Sequence, residues 1–246
     1  MRPLRPLMLA ALLCACSEPS RAPLDAQPSP RATEPAVEPP TPRRCAPPPG
    51  VSGSPTSIAA AITLLGALPP PVTVACFVES LDRPLGVFAS ASPFSAQPSS
   101  DVASPRIFIR SGPLTMTVIA EGLGRGLLEF GEHADDGRTI KGEVELPPPA
   151  PLSPTTPFDR VRVGDATSCS TCHDDEAPAP AGRPGLASEV LHPSPLFDVP
   201  LDRLRHAAER CDDAGSPERC ELLHALFDHG EVRPATLPSG GRLCDH

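Results

Sequence analysis

Basic charge is in short supply in this chain of 246 residues. Its 21 Lys and Arg face 30 Asp and Glu, which leaves a net charge of −9. A surface of that sign repels phosphate backbones and anionic lipid headgroups, so nucleic acid and anionic membrane surfaces are excluded as partners. Long apolar runs are missing too. The stretch at residues 7–15 is too short to cross a bilayer, and no second long run follows it. Trp and Tyr are absent, which leaves Phe as the only aromatic residue. No nucleophile elbow or phosphate loop occurs, and no Ser, Cys or Thr nucleophile sits in a recognisable catalytic constellation. The chain is therefore not expected to be an enzyme.

Proline and cysteine, by contrast, are abundant, at 37 and nine residues. The most informative cysteines lie in Cys169-Ser170-Thr171-Cys172-His173. Two thiols three positions apart on one tight turn can each add across a haem vinyl group. The His that follows can then offer its imidazole to the iron. Over this stretch the chain resembles the c-type cytochromes. The resemblance implies haem c on Cys169 and Cys172, with His173 as proximal ligand. Common small cytochromes c take a Met ligand from the C-terminal side of the motif, but this chain has no Met after Met116. A Met ligand could come only from Met116, so the sixth ligand is expected to be a His, or the position stays open. Candidates are His192, His206, His224, His229 and His246, with His192 and His224 foremost. His192 lies in a Pro-flanked loop that could fold over a haem face. His224 shares a helical face with Cys220.

The N-terminus sets the expected compartment. Arg2 and Arg5 precede the apolar stretch, which ends in Leu13-Cys14-Ala15-Cys16. This resembles a bacterial lipobox, with Cys16 as the lipidated residue that becomes the mature N-terminus. Loss of Arg2 and Arg5 with such a leader would take the charge from −9 to −11. Export agrees with the haem motif, because haem is attached to c-type cytochromes outside the cytoplasmic membrane. Ser17, rather than Asp, after the lipid Cys implies sorting to the outer membrane.

Beyond the leader at 1–15, residues 16–50 form a Pro-rich segment with too few large apolar side chains to bury. It is expected to be a disordered tether, able to reach on the order of 100 Å at full stretch. The expected fold class is α+β: a small antiparallel β-sandwich-like domain over 51–150, then a small helical segment over 151–246 that carries the haem motif. A helix is expected from Ser54-Pro55 to Gly66. Strands are expected at 72–78, 85–89, 107–110, 114–119, 127–130, 139–146 and 158–163. Within 139–146, Thr139, Lys141, Glu143 and Glu145 should form a wet face opposite Ile140, Gly142, Val144 and Leu146. Glu129 and Glu132 read as a solvated hairpin edge, and His133 as a surface residue. Two helices should follow, one capped by Asp198 and one opening at Ser216 and ending at Gly230.

In an oxidising compartment free thiols are disfavoured. Cys211 and Cys220 are plausible partners across adjacent helices, and Cys45 and Cys76 within the first half. Cys244 is left over, and connectivity stays open.

Two function classes follow. One is an envelope lipoprotein holding one covalent haem, for electron transfer or redox sensing, with a redox protein as partner. The other is a non-redox envelope lipoprotein, a binding or structural module. Its Cys169 and Cys172 would be a disulfide loop, or half of a zinc site completed by a distant Cys or His.

Overall fold

The computed structural model describes residues 41–95, 97–99 and 101–238, together with the backbone of 242–244. The leader, Cys14, Cys16 and most of the expected tether lie outside the described residues. Residues 39–246 group as one compact α+β unit.

A five-stranded antiparallel meander forms its centre: β1 Leu85–Ser90, β2 Arg106–Ser111, β3 Leu114–Ile119, β4 Leu127–His133 and β5 Thr139–Glu145. All five match strands expected from the sequence. The pairing register splits their side chains cleanly. Ile107, Ile109, Met116, Val118, Leu128, Ile140 and Val144 are buried on one face. Arg106, Phe108, Thr115, Thr117, Glu129, His133 and Lys141 take the other.

Helices cover the apolar face. In α1, Ile58–Ala67, the cap is Ser57, whose hydroxyl accepts from the Ala60 N–H at 3.1 Å. Ser54 is not the cap, because the start is fixed from outside: the Glu132 carboxylate accepts the Ile58 N–H at 2.7 Å. The strand expected at 72–78 is instead α2, Val74–Ser80, capped by Thr73. Every residue of α2 is buried. A helix that is buried on all sides carries no 3.6-residue apolar period, so its sequence reads like a core strand. The strand expected at 158–163 is mostly α3, Thr156–Val161, followed by β6, Arg162–Val163. Pro157 in the first turn favours that helical start. Both α1 and α3 approach the sheet where Gly142 leaves room: a Cβ there would stand 3.1 Å from the Pro157 Cβ and 3.5 Å from the Ile58 Cδ1.

The remaining elements are short strands and two helices. They are β7 Ala166–Thr167, β8 Ala177–Pro178, β9 Leu186–Ser188, β10 Leu191–Pro193, α4 Leu201–Glu209, α5 Pro217–Phe227, β11 Val232–Pro234 and β12 Arg242–Cys244. They do not build a separate body beyond residue 150. The full sheet has eight strands in the order β11-β1-β2-β3-β4-β5-β9-β8, so the later chain supplies both edges. β11 runs parallel to β1, and β9 is antiparallel to β5. Leu204, Leu222, Leu223 and Leu226 join the same buried cluster as Phe77, Val87 and Ile109. Where a sandwich would place a second large sheet, helices lie instead.

Two disulfides staple the periphery, and both pairings match the expected partners. Cys45–Cys76 ties the chain ahead of α1 to α2, and Cys211–Cys220 joins the end of α4 to α5. Residues 41–50, expected to belong to the tether, are thus held to the body. The Glu79 carboxylate accepts the Arg44 and Cys45 N–H groups, and the Thr41 N–H donates to the Asp228 carbonyl at 3.0 Å. The side chain of Cys244 lies outside the described residues.

Candidate functional site

The polar face of the meander is not open to water. Thr139 and Lys141, expected on the wet face, are 5% and 8% exposed. What covers them is the C-x-x-C-H turn with the segment that follows it. Between sheet and cover lies a cleft with about 180 Å³ of internal space, floored by Arg106, Phe108, Glu129, His133 and Lys141. Cys169, Cys172, His173, Val190, His192 and Leu237 roof it.

Local hydrogen bonds fix the motif. It occupies a 3-10 turn, Ser168–Thr171, closed by Cys172. The Thr167 hydroxyl accepts the Cys169 N–H at 3.1 Å, while the Glu176 carboxylate accepts both the N–H and the hydroxyl of Thr167, at 2.7 and 2.5 Å. The Cys169 carbonyl accepts the N–H groups of Cys172 and His173 at 3.1 and 2.9 Å. One helical turn therefore separates the thiols, which both line the cleft and are not bridged to each other. The Glu189 carbonyl lies 2.8 Å from His173 Nδ1, so Nδ1–H is the donor and Nε2 keeps its lone pair. A carbonyl behind Nδ1 is the support that metal-binding imidazoles commonly have.

Electrostatics favour neutral donors. Burial, reinforced by the Lys141 ammonium, lowers the pKa of His173 to about 4 against the pull of its bond to Glu189, so the ring is uncharged at neutral pH. Burial raises the pKa of Cys169, although a hydrogen bond from Thr167 and the charge of Lys141 oppose it. Cys169 is thus a protonated thiol rather than an activated thiolate. Lys141 is itself depressed to about 8, by burial first. Beside it, Arg106 pairs with Glu129 and with the Ser95 hydroxyl, and its guanidinium lies 5.1 Å from the centre of the Phe108 ring.

The expected site residues divide into two groups. Cys169, Cys172, His173 and His192 come together in the cleft. His224 does not: it lies on α5, 3.0 Å from Asp228 and 3.6 Å from Asp213. His206 faces Glu209 at 3.4 Å, and the Nδ1 of His229 bonds the Thr41 carbonyl at 2.9 Å. His246 lies outside the described residues. Three cleft residues escaped sequence reading: Lys141, Glu129 and His133. Glu129 and Glu132 are no edge pair, since Glu129 points into the cleft while Glu132 reaches α1 and Arg183. Their strand positions were visible in the sequence, but the cover that buries this face comes from a segment that starts more than 20 residues beyond β5. Among the described residues, no three His, Cys, Asp or Glu side chains are grouped so that they could hold a metal ion.

Fold and site together define an α+β protein with a thiol–imidazole turn roofing the polar face of its sheet. Comparison of the chain with protein-family models, with curated proteins and with solved structures gives no match.

Proposed function

We propose that this chain is an envelope lipoprotein that carries one covalent c-type haem on Cys169 and Cys172, with His173 as proximal ligand, and that it serves electron transfer or redox sensing. The observation that carries the reading is the set of donors on one turn. Two unbridged thiols and a neutral imidazole, its Nδ1 already committed to the Glu189 carbonyl, line one cleft. These residues fit the group: thioether formation consumes free thiols, and ligation consumes the Nε2 lone pair. When bound, haem supplies one-electron chemistry at its iron. The chain's own residues hold and tune it. The Thr167–Glu176 pair fixes the turn, Phe108, Val190 and Leu237 exclude water, and the Lys141 ammonium lies close to both Cys169 and His173. Anchoring is assigned to a lipid on Cys16, which places the protein at the outer membrane facing the periplasm. Among the described residues no helix is long and apolar enough to cross a membrane.

The test is expression in a host with haem-attachment machinery. Denatured protein should keep a haem-linked peroxidase stain on a gel, and Cys172→Ser should leave at most one thioether bond. Extraction of the pigment into acid acetone would sink the reading. For the anchor, Cys16→Ala should turn a membrane-pelleting protein soluble or block its maturation. Continued pelleting of that variant would place the anchor elsewhere.

A further inference from the structure

We infer that His133, the histidine on the sheet side of the cleft, is the second axial ligand of the haem. This rests on the haem reading above. Axial ligands reach an iron from opposite faces of the macrocycle. His173 belongs to the roof, and the chain behind it is the segment of Glu189 and Val190, through the Nδ1 bond to the Glu189 carbonyl. His192 continues that same roof, three residues beyond Glu189, with its backbone paired to β12. A ligand from the opposite wall must come from the floor.

His133 is the imidazole on that floor. It ends β4 opposite Thr139, on the face that carries Lys141 and Glu129. Its backbone is fixed by an N–H bond to the Pro113 carbonyl at 3.0 Å. Among the described residues its ring makes no hydrogen bond or ion pair, whereas the rings of His206, His224 and His229 are engaged elsewhere.

The experiment uses the full chain carrying haem, read by absorption and electron paramagnetic resonance. Wild-type protein should be low-spin and six-coordinate. His133→Ala and His133→Asn should lose the low-spin signal and become high-spin, and added imidazole should restore it. His133→Met should keep six-coordination and move the reduction potential upward, a change that a merely structural role would not produce. His192→Ala should stay low-spin. A high-spin wild type overturns the assignment, as does a low-spin His133→Ala beside a high-spin His192→Ala. If no covalent haem forms in wild type, the haem reading itself has failed, and this assignment with it. Covalent haem in a His133 variant with an unchanged spectrum rejects His133 alone.

Discussion

At the scale of single residues, Lys141 carries the largest consequence. It alternates with apolar neighbours as an exposed strand lysine does, yet it lies under the roof beside Cys169 and His173. Burying an ammonium costs free energy unless it is well paired. The depression of its pKa from 10.5 to about 8 expresses that cost, which corresponds to about 3 kcal/mol at the usual conversion. At pH 7 the group is still mostly charged in the folded state, so the cost is present there. Between pH 8 and 10.5 the unfolded chain binds more protons at this site than the folded one, and stability rises with pH. Lys141→Met should therefore raise the unfolding free energy of the haem-free protein at pH 7, by about 1–3 kcal/mol. Its advantage over wild type should shrink as pH rises from 8 towards 10.5. A variant less stable than wild type at pH 7, in paired melts, would instead make the ammonium a net structural support.

At the scale of elements, the staples and the supports have distinct tasks. Helix α2 is buried on every side, and its disulfide Cys45–Cys76 closes a span of 31 residues. Cys211–Cys220 closes a span of nine. If cross-links act mainly by restricting the unfolded chain, the longer span stabilises more, by about 1 kcal/mol on the chain-entropy relation. Denaturant melts of Cys45→Ala/Cys76→Ala and Cys211→Ala/Cys220→Ala should rank in that order, each double variant losing about 2–4 kcal/mol. An equal or reversed ranking would mean that the bridges act through folded-state packing. The cleft depends on a different support. Thr167→Val should remove the cap on Cys169 N–H and one of the bonds that hold Glu176. Loosening of the turn is then expected to lower the yield of covalent haem while leaving the helices, measured by circular dichroism, unchanged. Full haem incorporation in Thr167→Val would show that the turn forms without its cap.

At the scale of the whole molecule, the sheet crosses the boundary expected at residue 150. β9 pairs with β5, β11 pairs with β1, and the Val199 N–H donates to the Ala89 carbonyl at 2.9 Å. Glu132 in the first half holds Arg183 in the second at 2.7 Å. Removing everything after residue 150 would expose both sheet edges and strip Leu204, Leu223 and Leu226 from the core. A chain ending at residue 150 is thus expected to be protease-sensitive and aggregation-prone, with no cooperative melt. A sharp two-state transition of that fragment would restore an independent N-terminal domain. The roof is the exception within this unit. Its elements at 166–193 are two to four residues long, so they are expected to exchange amide hydrogens faster than the meander.

What the sequence by itself determined was local. Runs rich in β-branched residues, set off by turn formers, marked the five strands of the meander, and in β5 a repeat of two residues marked its two faces. Ser216-Pro217 and the apolar stripe announced α5, the C-x-x-C-H spacing announced the thiol–imidazole turn, and the placement of the other cysteines suggested both disulfide pairings while leaving connectivity open. Only the tertiary structure decided which faces stay wet. Whether Lys141 and His133 meet solvent depends on a roof that starts more than 20 residues beyond the end of β5, and no pattern within β4 or β5 encodes that contact. It also decided that the run at 72–78 is a helix, since burial on all sides erases the period by which helix and strand are told apart. And it sorted the histidines: His192 and His224 were equal in sequence as candidates for the sixth position, but His224 is drawn to Asp213 and Asp228, while His192 joins His173 at a cleft formed by chain segments far apart in sequence.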